Sequence, residues 1–93
     1  MGTLLKVDEW KSPSGYYYVA DVHTWTGWQE MADVLDAETQ EDFINLIRNK
    51  YNAIIEIVRP EFILFWWPES NYKDAHQFKL DVNRIARKKG YMV

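Results

Sequence analysis

The sequence predicts a small α+β domain with its elements in the order ββααββα, and three observations carry that expectation. Two aromatic and β-branched runs, Tyr16–Val22 and Phe62–Trp67, are bounded by proline and glycine turn signals. Two other stretches, Gln40–Tyr51 and the one that follows Asn71, place apolar residues at helical spacing behind polar capping residues. The 93 residues are 47% hydrophobic and 27% charged, the length and composition of one globular domain, so residues 1–93 are read as a single unit.

Leu4–Trp10 reads as a first strand of poor alternation, and Lys11-Ser12-Pro13-Ser14-Gly15 as the turn that joins it to Tyr16–Val22 in a hairpin. Thr26-Gly27-Trp28-Gln29 has the form of a capping box, and Trp28, Met31, Ala32 and Leu35 lie on one face of a short helix after it. A second cap at Thr39, with Glu41 and Asp42 in the positive first turn, opens a helix from Gln40 to Tyr51 with Phe43, Ile44, Ile47 and Tyr51 on its apolar side. Ile54, Ile55 and Val58 would continue that helical stripe. With Ile57 they are also four β-branched residues in five positions, which favours a hairpin of Ala53–Val58 with Phe62–Trp67. The last helix starts at a cap by Asn71, buries Ala75, Phe78, Val82, Ile85 and Ala86, and stops at a left-handed Gly90. The expected core therefore contains Trp28, Met31, Leu35, Phe43, Ile47, Phe78, Val82 and Ile85.

Composition excludes several chemistries. No cysteine means no disulfide framework, no thiolate metal ligand and no cysteine nucleophile. None of the three serines sits between the glycines of a nucleophile elbow, and four glycines in all leave no phosphate-cradling loop. Asp21 and His23 would share a strand face, the one pairing that suits a metal or an acid-base pair, whereas Asp74 and His76 diverge on a helix. Tyr16-Tyr17-Tyr18 with Trp28 does not make a WW domain, because Ala20 and Asp21 stand where that family has its Asn-His pair and no proline follows Trp28. The sequence thus predicts no enzyme and no cofactor. The longest apolar run, Phe62–Trp67, is six residues, far short of the roughly 20 that span a bilayer, and a cytoplasmic protein is expected.

Charge is the most informative feature. Residues 1–46 hold nine acids against two bases, net −7, and residues 47–93 hold five acids against nine bases, net +4. The acids crowd the helical segment around Asp33, Asp36, Glu38 and Glu41, a pattern suited to docking a basic protein surface. Aromatic weight adds anchors. Trp66 and Trp67 are adjacent on a strand, so they point to opposite faces, and one should reach the surface or an oligomer contact. Trp67 is the ring the sequence assigns to the contact surface. The resulting expectation is a non-enzymatic protein-interaction module, an adaptor or inhibitor, acting through Asp33, Asp36, Glu38, Glu41 and Trp67. Its partner is another protein with a basic surface, and the reading leaves room for a homodimer. The alternative is single-stranded nucleic acid held by Arg84, Arg87 and Lys88 on the last helix, with bases stacked on Tyr16, Tyr18 or Trp67.

Overall fold

The chain folds as β1 (Val7–Lys11), β2 (Tyr16–Asp21), α1 (Trp28–Val34), α2 (Gln40–Tyr51), β3 (Ile54–Arg59), β4 (Phe62–Pro68) and α3 (Tyr72–Lys89), in a computed structural model that describes residues 6–21 and 28–91. The α+β order ββααββα is as the sequence predicts, and the hairpin over 54–68 resolves the ambiguity there in favour of strands. Thr26-Gly27, the start of the expected capping box, and the Asp21–His23 pair fall outside what is described. Among the described residues no helix is long and apolar enough to cross a membrane.

The four strands form one antiparallel sheet in the order β1-β2-β4-β3. The first hairpin closes through Gly15, whose φ of +88° suits a residue without Cβ and whose N–H donates to the Ser12 carbonyl at 3.0 Å. In the second hairpin the register shifts between Ile55 and Ile57, so Glu56 is the extra residue of a bulge. That bulge explains the sequence pattern. Ile55 pairs with Phe65 and Val58 with Ile63, whereas Ile54 pairs with Trp66 and Ile57 with Leu64. A three-residue step thus returns a side chain to the same face, and a strand imitates helical spacing.

Helices α2 and α3 end as their capping chemistry dictates, with one exception. Thr39 Oγ1 accepts from Asp42 N–H at 3.0 Å to open α2, and Asn52, left-handed at φ 58°, closes it. Gly90, at φ 83°, ends α3 while Tyr91 N–H bonds back to the Ala86 carbonyl at 2.8 Å. Asn71 does not cap α3 with its side chain. Instead a 3-10 turn over Glu69–Asn71 leads directly into the helix and uses i→i+3 bonding there.

All helix contacts with the sheet fall on one of its faces. Val7, Val19, Ile63, Phe65 and Trp67 point to that side and are buried with Met31, Phe43, Ile47, Tyr51, Phe78 and Val82. Trp28, Leu35 and Ile85, expected in the core, are partly buried at its margin. Phe78 is the hub, with ring centroids of Tyr51, Trp67 and Phe65 at 5.1, 5.6 and 5.9 Å. Trp28 Nε1 and Gln40 Nε2 donate to the Pro60 and Arg59 carbonyls, which fastens the helical layer to the β3–β4 turn.

Candidate interaction surface

The acidic segment lies in the helical layer. Asp33, Asp36, Glu38 and Glu41 are all exposed. Asp36 already has an internal partner: Lys89 Nζ, from the basic end of α3, lies 2.5 Å from its carboxylate and donates to the Val34 carbonyl at 3.0 Å. A lysine at the open carbonyl end of α1 is where helix-dipole electrostatics favours a cation. The charge asymmetry of the sequence is thus partly closed within the fold, leaving Asp33, Glu38 and Glu41 with their carboxylates toward solvent.

The basic residues Arg84, Arg87 and Lys88 are exposed on the outer side of α3, away from the sheet. Arg84 lies 3.5 Å from Asp81, whose carboxylate also accepts from Tyr51 Oη at 2.7 Å and from Gln77 Nε2 at 2.8 Å. Burial alone would raise the Asp81 pKa, but these hydrogen bonds outweigh it and hold the group below its ordinary value. Burial and the same Asp81 bond push the Tyr51 phenol upward.

A cluster that local sequence gives no sign of joins β1 to α3. Glu9 accepts from Lys79 at 3.1 Å and lies 2.6 Å from His76 Nδ1, while Asn83 brackets Val7, accepting from its N–H and donating to its carbonyl, both at 3.0 Å. The Asn83 amide occupies the outward hydrogen-bonding groups of an edge strand, and the Glu9 N–H is taken by Asp8 at 2.8 Å. Burial works against the Glu9 charge, yet the bonds from His76 and Lys79 keep its pKa below the ordinary carboxylate value. The cluster ties strand to helix, and no group of three or more acidic or histidine residues among those described could hold a metal ion.

Trp67 corrects the sequence expectation. It is 0% exposed, its indole N–H donates to the Tyr51 carbonyl at 2.6 Å, and it packs on Phe65 and Phe78. Pairing with Tyr17 turns it toward the helices, so it belongs to the core and not to a contact surface. Trp66 is the tryptophan of the other face, its ring edge-on to Tyr16 at 4.4 Å.

That other face is the largest unexplained feature of the fold. Cross-strand pairing puts Trp10 with Tyr18, Trp66 with Ile54, Leu64 with Ile57, and Tyr16 with Pro68 on one side of the sheet. No described helix covers it. Trp10 is 45% exposed, Phe62 40%, Ile54 39% and Tyr16 38%, and Tyr18, Ile57, Leu64 and Trp66 are half-buried by one another. An antiparallel sheet with one solvated face ordinarily turns polar residues outward. Here the outward residues are rings and branched aliphatics, and charge is confined to the margins, at Asp8 on β1 and at Glu56 and Arg59 on β3. Sequence reasoning located the anchors on single residues; the signal for the whole face was the weak alternation of the strands, apolar on both sides.

The sheet therefore stands between the groups that the nucleic-acid reading needs together. Tyr16 and Tyr18 lie on the open face, while Arg84, Arg87 and Lys88 lie beyond the helical layer. Comparison with protein-family models, with curated proteins and with solved structures gives no match for this chain.

Proposed function

We propose that the domain is a non-enzymatic protein-interaction module that docks through the open aromatic face of its sheet. The observation that carries this reading is the face formed by Trp10, Tyr16, Tyr18, Ile54, Phe62, Leu64 and Trp66, which no described helix covers. Soluble monomers rarely leave contiguous apolar surface of more than a few hundred Å² unless it is used, and tryptophan and tyrosine are the residues that most often carry binding energy. The acidic residues Asp33, Glu38 and Glu41 supply a second element. Their field speeds encounter with a basic partner, and the apolar face supplies the lasting contact.

Affinity capture from the native host with three altered chains tests this. Trp10→Glu with Phe62→Glu should abolish capture of the specific partner. Asp33→Lys with Glu41→Lys should slow association and leave the complex at equilibrium little changed, because these charges lie on the helical layer away from the contact and act only through their long-range field. Arg84→Glu, Arg87→Glu and Lys88→Glu together, and nuclease treatment, should change nothing. Capture that survives the sheet-face change and fails with the basic triple change, or after nuclease, would refute the reading in favour of single-stranded nucleic acid.

A further inference from the structure

We infer that the open sheet face pairs with the same face of a second copy of this chain. The inference rests on the reading of the sheet face as a docking surface and names a second copy as its occupant, in place of the basic partner that the acidic segment would attract. Three features of the face favour a copy of itself over a partner of different chemistry.

The first is charge. A surface that holds nucleic acid or a strongly charged protein places complementary charge among its anchors. The centre of this face, the rows Trp10–Tyr18 and Trp66–Ile54 with Leu64–Ile57 beside them, carries none. A neutral aromatic surface is complementary to itself. At its margins Asp8 is on the β1 edge, and Arg59, with Glu56 three residues before it, is on the β3 edge, at opposite ends of the strand order β1-β2-β4-β3. A two-fold axis running along the strands lays β1 of one copy over β3 of the other, so each Asp8 approaches the partner's margin where Arg59 stands. Asp8 lies 3.8 Å from Lys79 within its own chain and is half exposed, so its carboxylate is open to a second cation.

The second is area. At about 150–250 Å² per aromatic side chain, the exposed fractions of Trp10, Tyr16 and Phe62, with Ile54 and the half-buried residues between them, leave on the order of 500 Å² of apolar surface per copy. Two faces together, with the charged margins added, remove about 1,000 Å², the size of a weak, reversible interface and short of the roughly 1,200–2,000 Å² of stable ones. The third is the state of the nearer alternative, growth of the sheet edge to edge. The β1 edge is occupied in part, by the Asn83 amide at Val7 and by Asp8 at the Glu9 N–H, and β3 carries the Glu56 bulge, a device that disfavours continuous strand pairing. Among the described residues the face is less obstructed than the edges. Aligned face-to-face packing of two sheets also leaves the acidic segment, on the far layer, free in both copies.

Sedimentation and light scattering on the full chain, from about 1 µM to about 1 mM, test the inference across the range in which an interface of this size associates. The expected result is a concentration-dependent rise from 11.1 kDa to twice that mass. Trp10→Glu and Phe62→Glu, each made separately at an exposed position, should raise the dimer Kd at least ~100-fold, since every change acts twice across a two-fold interface. Circular dichroism on the same samples checks that both chains remain folded. A monomer at every concentration overturns the inference. The docking reading survives that outcome if Trp10→Glu still abolishes capture of another protein. A dimer that both glutamate variants leave intact overturns it too, because the copies then meet elsewhere.

Discussion

Exchanging each of the two adjacent tryptophans for phenylalanine separates the two faces of the sheet energetically. Trp67→Phe removes an indole N–H bonded at 2.6 Å to the Tyr51 carbonyl, one of the last carbonyls of α2 and otherwise without an intrahelical partner. Leaving a buried acceptor unpaired costs about 1–3 kcal/mol. The smaller ring also leaves a void against Phe65 and Phe78. At ~24 cal/mol per Å³, a void of about 40 Å³ adds about 1 kcal/mol. The expected loss is about 2–4 kcal/mol, against a total of about 5–14 kcal/mol for a domain of this length. The variant should therefore fold with a Tm lower by roughly 10–30 °C. Trp66→Phe keeps most of an edge-on contact with Tyr16 and breaks no buried hydrogen bond, so its cost should stay within about 0.5–1.5 kcal/mol. The assay is urea unfolding followed by far-ultraviolet circular dichroism. It is run dilute, because association through the open face would add apparent stability to one state only. An equal or larger loss for Trp66→Phe would show that the faces are assigned the wrong way round.

Other expected outcomes follow from the same packing. Phe78→Ala, at the centre of the ring cluster, should cost about 3–5 kcal/mol in the same urea assay, and an unchanged midpoint would contradict the packing of α3. Glu9 and Asp81 have folded pKa values below their ordinary 4.5 and 3.8, so they add stability above those values that is lost as pH falls through the lowered ones. Unfolding between pH 7 and 2 should therefore show a steep acid limb, and Glu9→Gln should flatten part of it. Tyr51 has the opposite sign: its raised pKa adds stability present below about pH 10, lost as pH climbs toward the folded value, and Tyr51→Phe should remove that alkaline loss. Asp33→Lys should leave stability within about 0.5 kcal/mol by thermal melt, and Glu41→Lys, which reverses a charge in the positive first turn of α2, should cost about 0.3–1 kcal/mol. A labelled single strand at about 50 mM salt should bind weakly, in the non-specific range.

Local signals in the sequence account for most of the fold. Caps at Thr39 and Gly90, the turn at Ser12–Gly15 and the stripes of Phe43 to Tyr51 and Ala75 to Ala86 are decided by neighbours within a few residues, and each forms as read. What depends on pairing across the chain was less legible. Adjacent tryptophans must face opposite ways, and that much follows from strand geometry. Which of them turns inward is set by the Tyr17–Trp67 pair, a contact of 50 residues in separation. The spacing of Ile54, Ile55 and Val58 looked helical because a bulge at Glu56 adds one residue to the strand. The Glu9–His76–Lys79 cluster spans 67 residues or more and has no local signature. The acidic segment was visible as composition, but its partial closure by Lys89 was not, since that depends on where α3 ends relative to α1.

Hydroxyl-radical footprinting, read residue by residue on the dilute monomer and on the associated state, tests the sheet-face claim most directly. Association should protect Trp10, Tyr16 and Phe62, leave the reactivity of Tyr72 and Leu80 on α3 unchanged, and leave the already buried Trp67 unreactive in both states. Protection confined to α3, or to the segment around Asp33 and Glu41, with Trp10 and Phe62 as reactive as before, would contradict it.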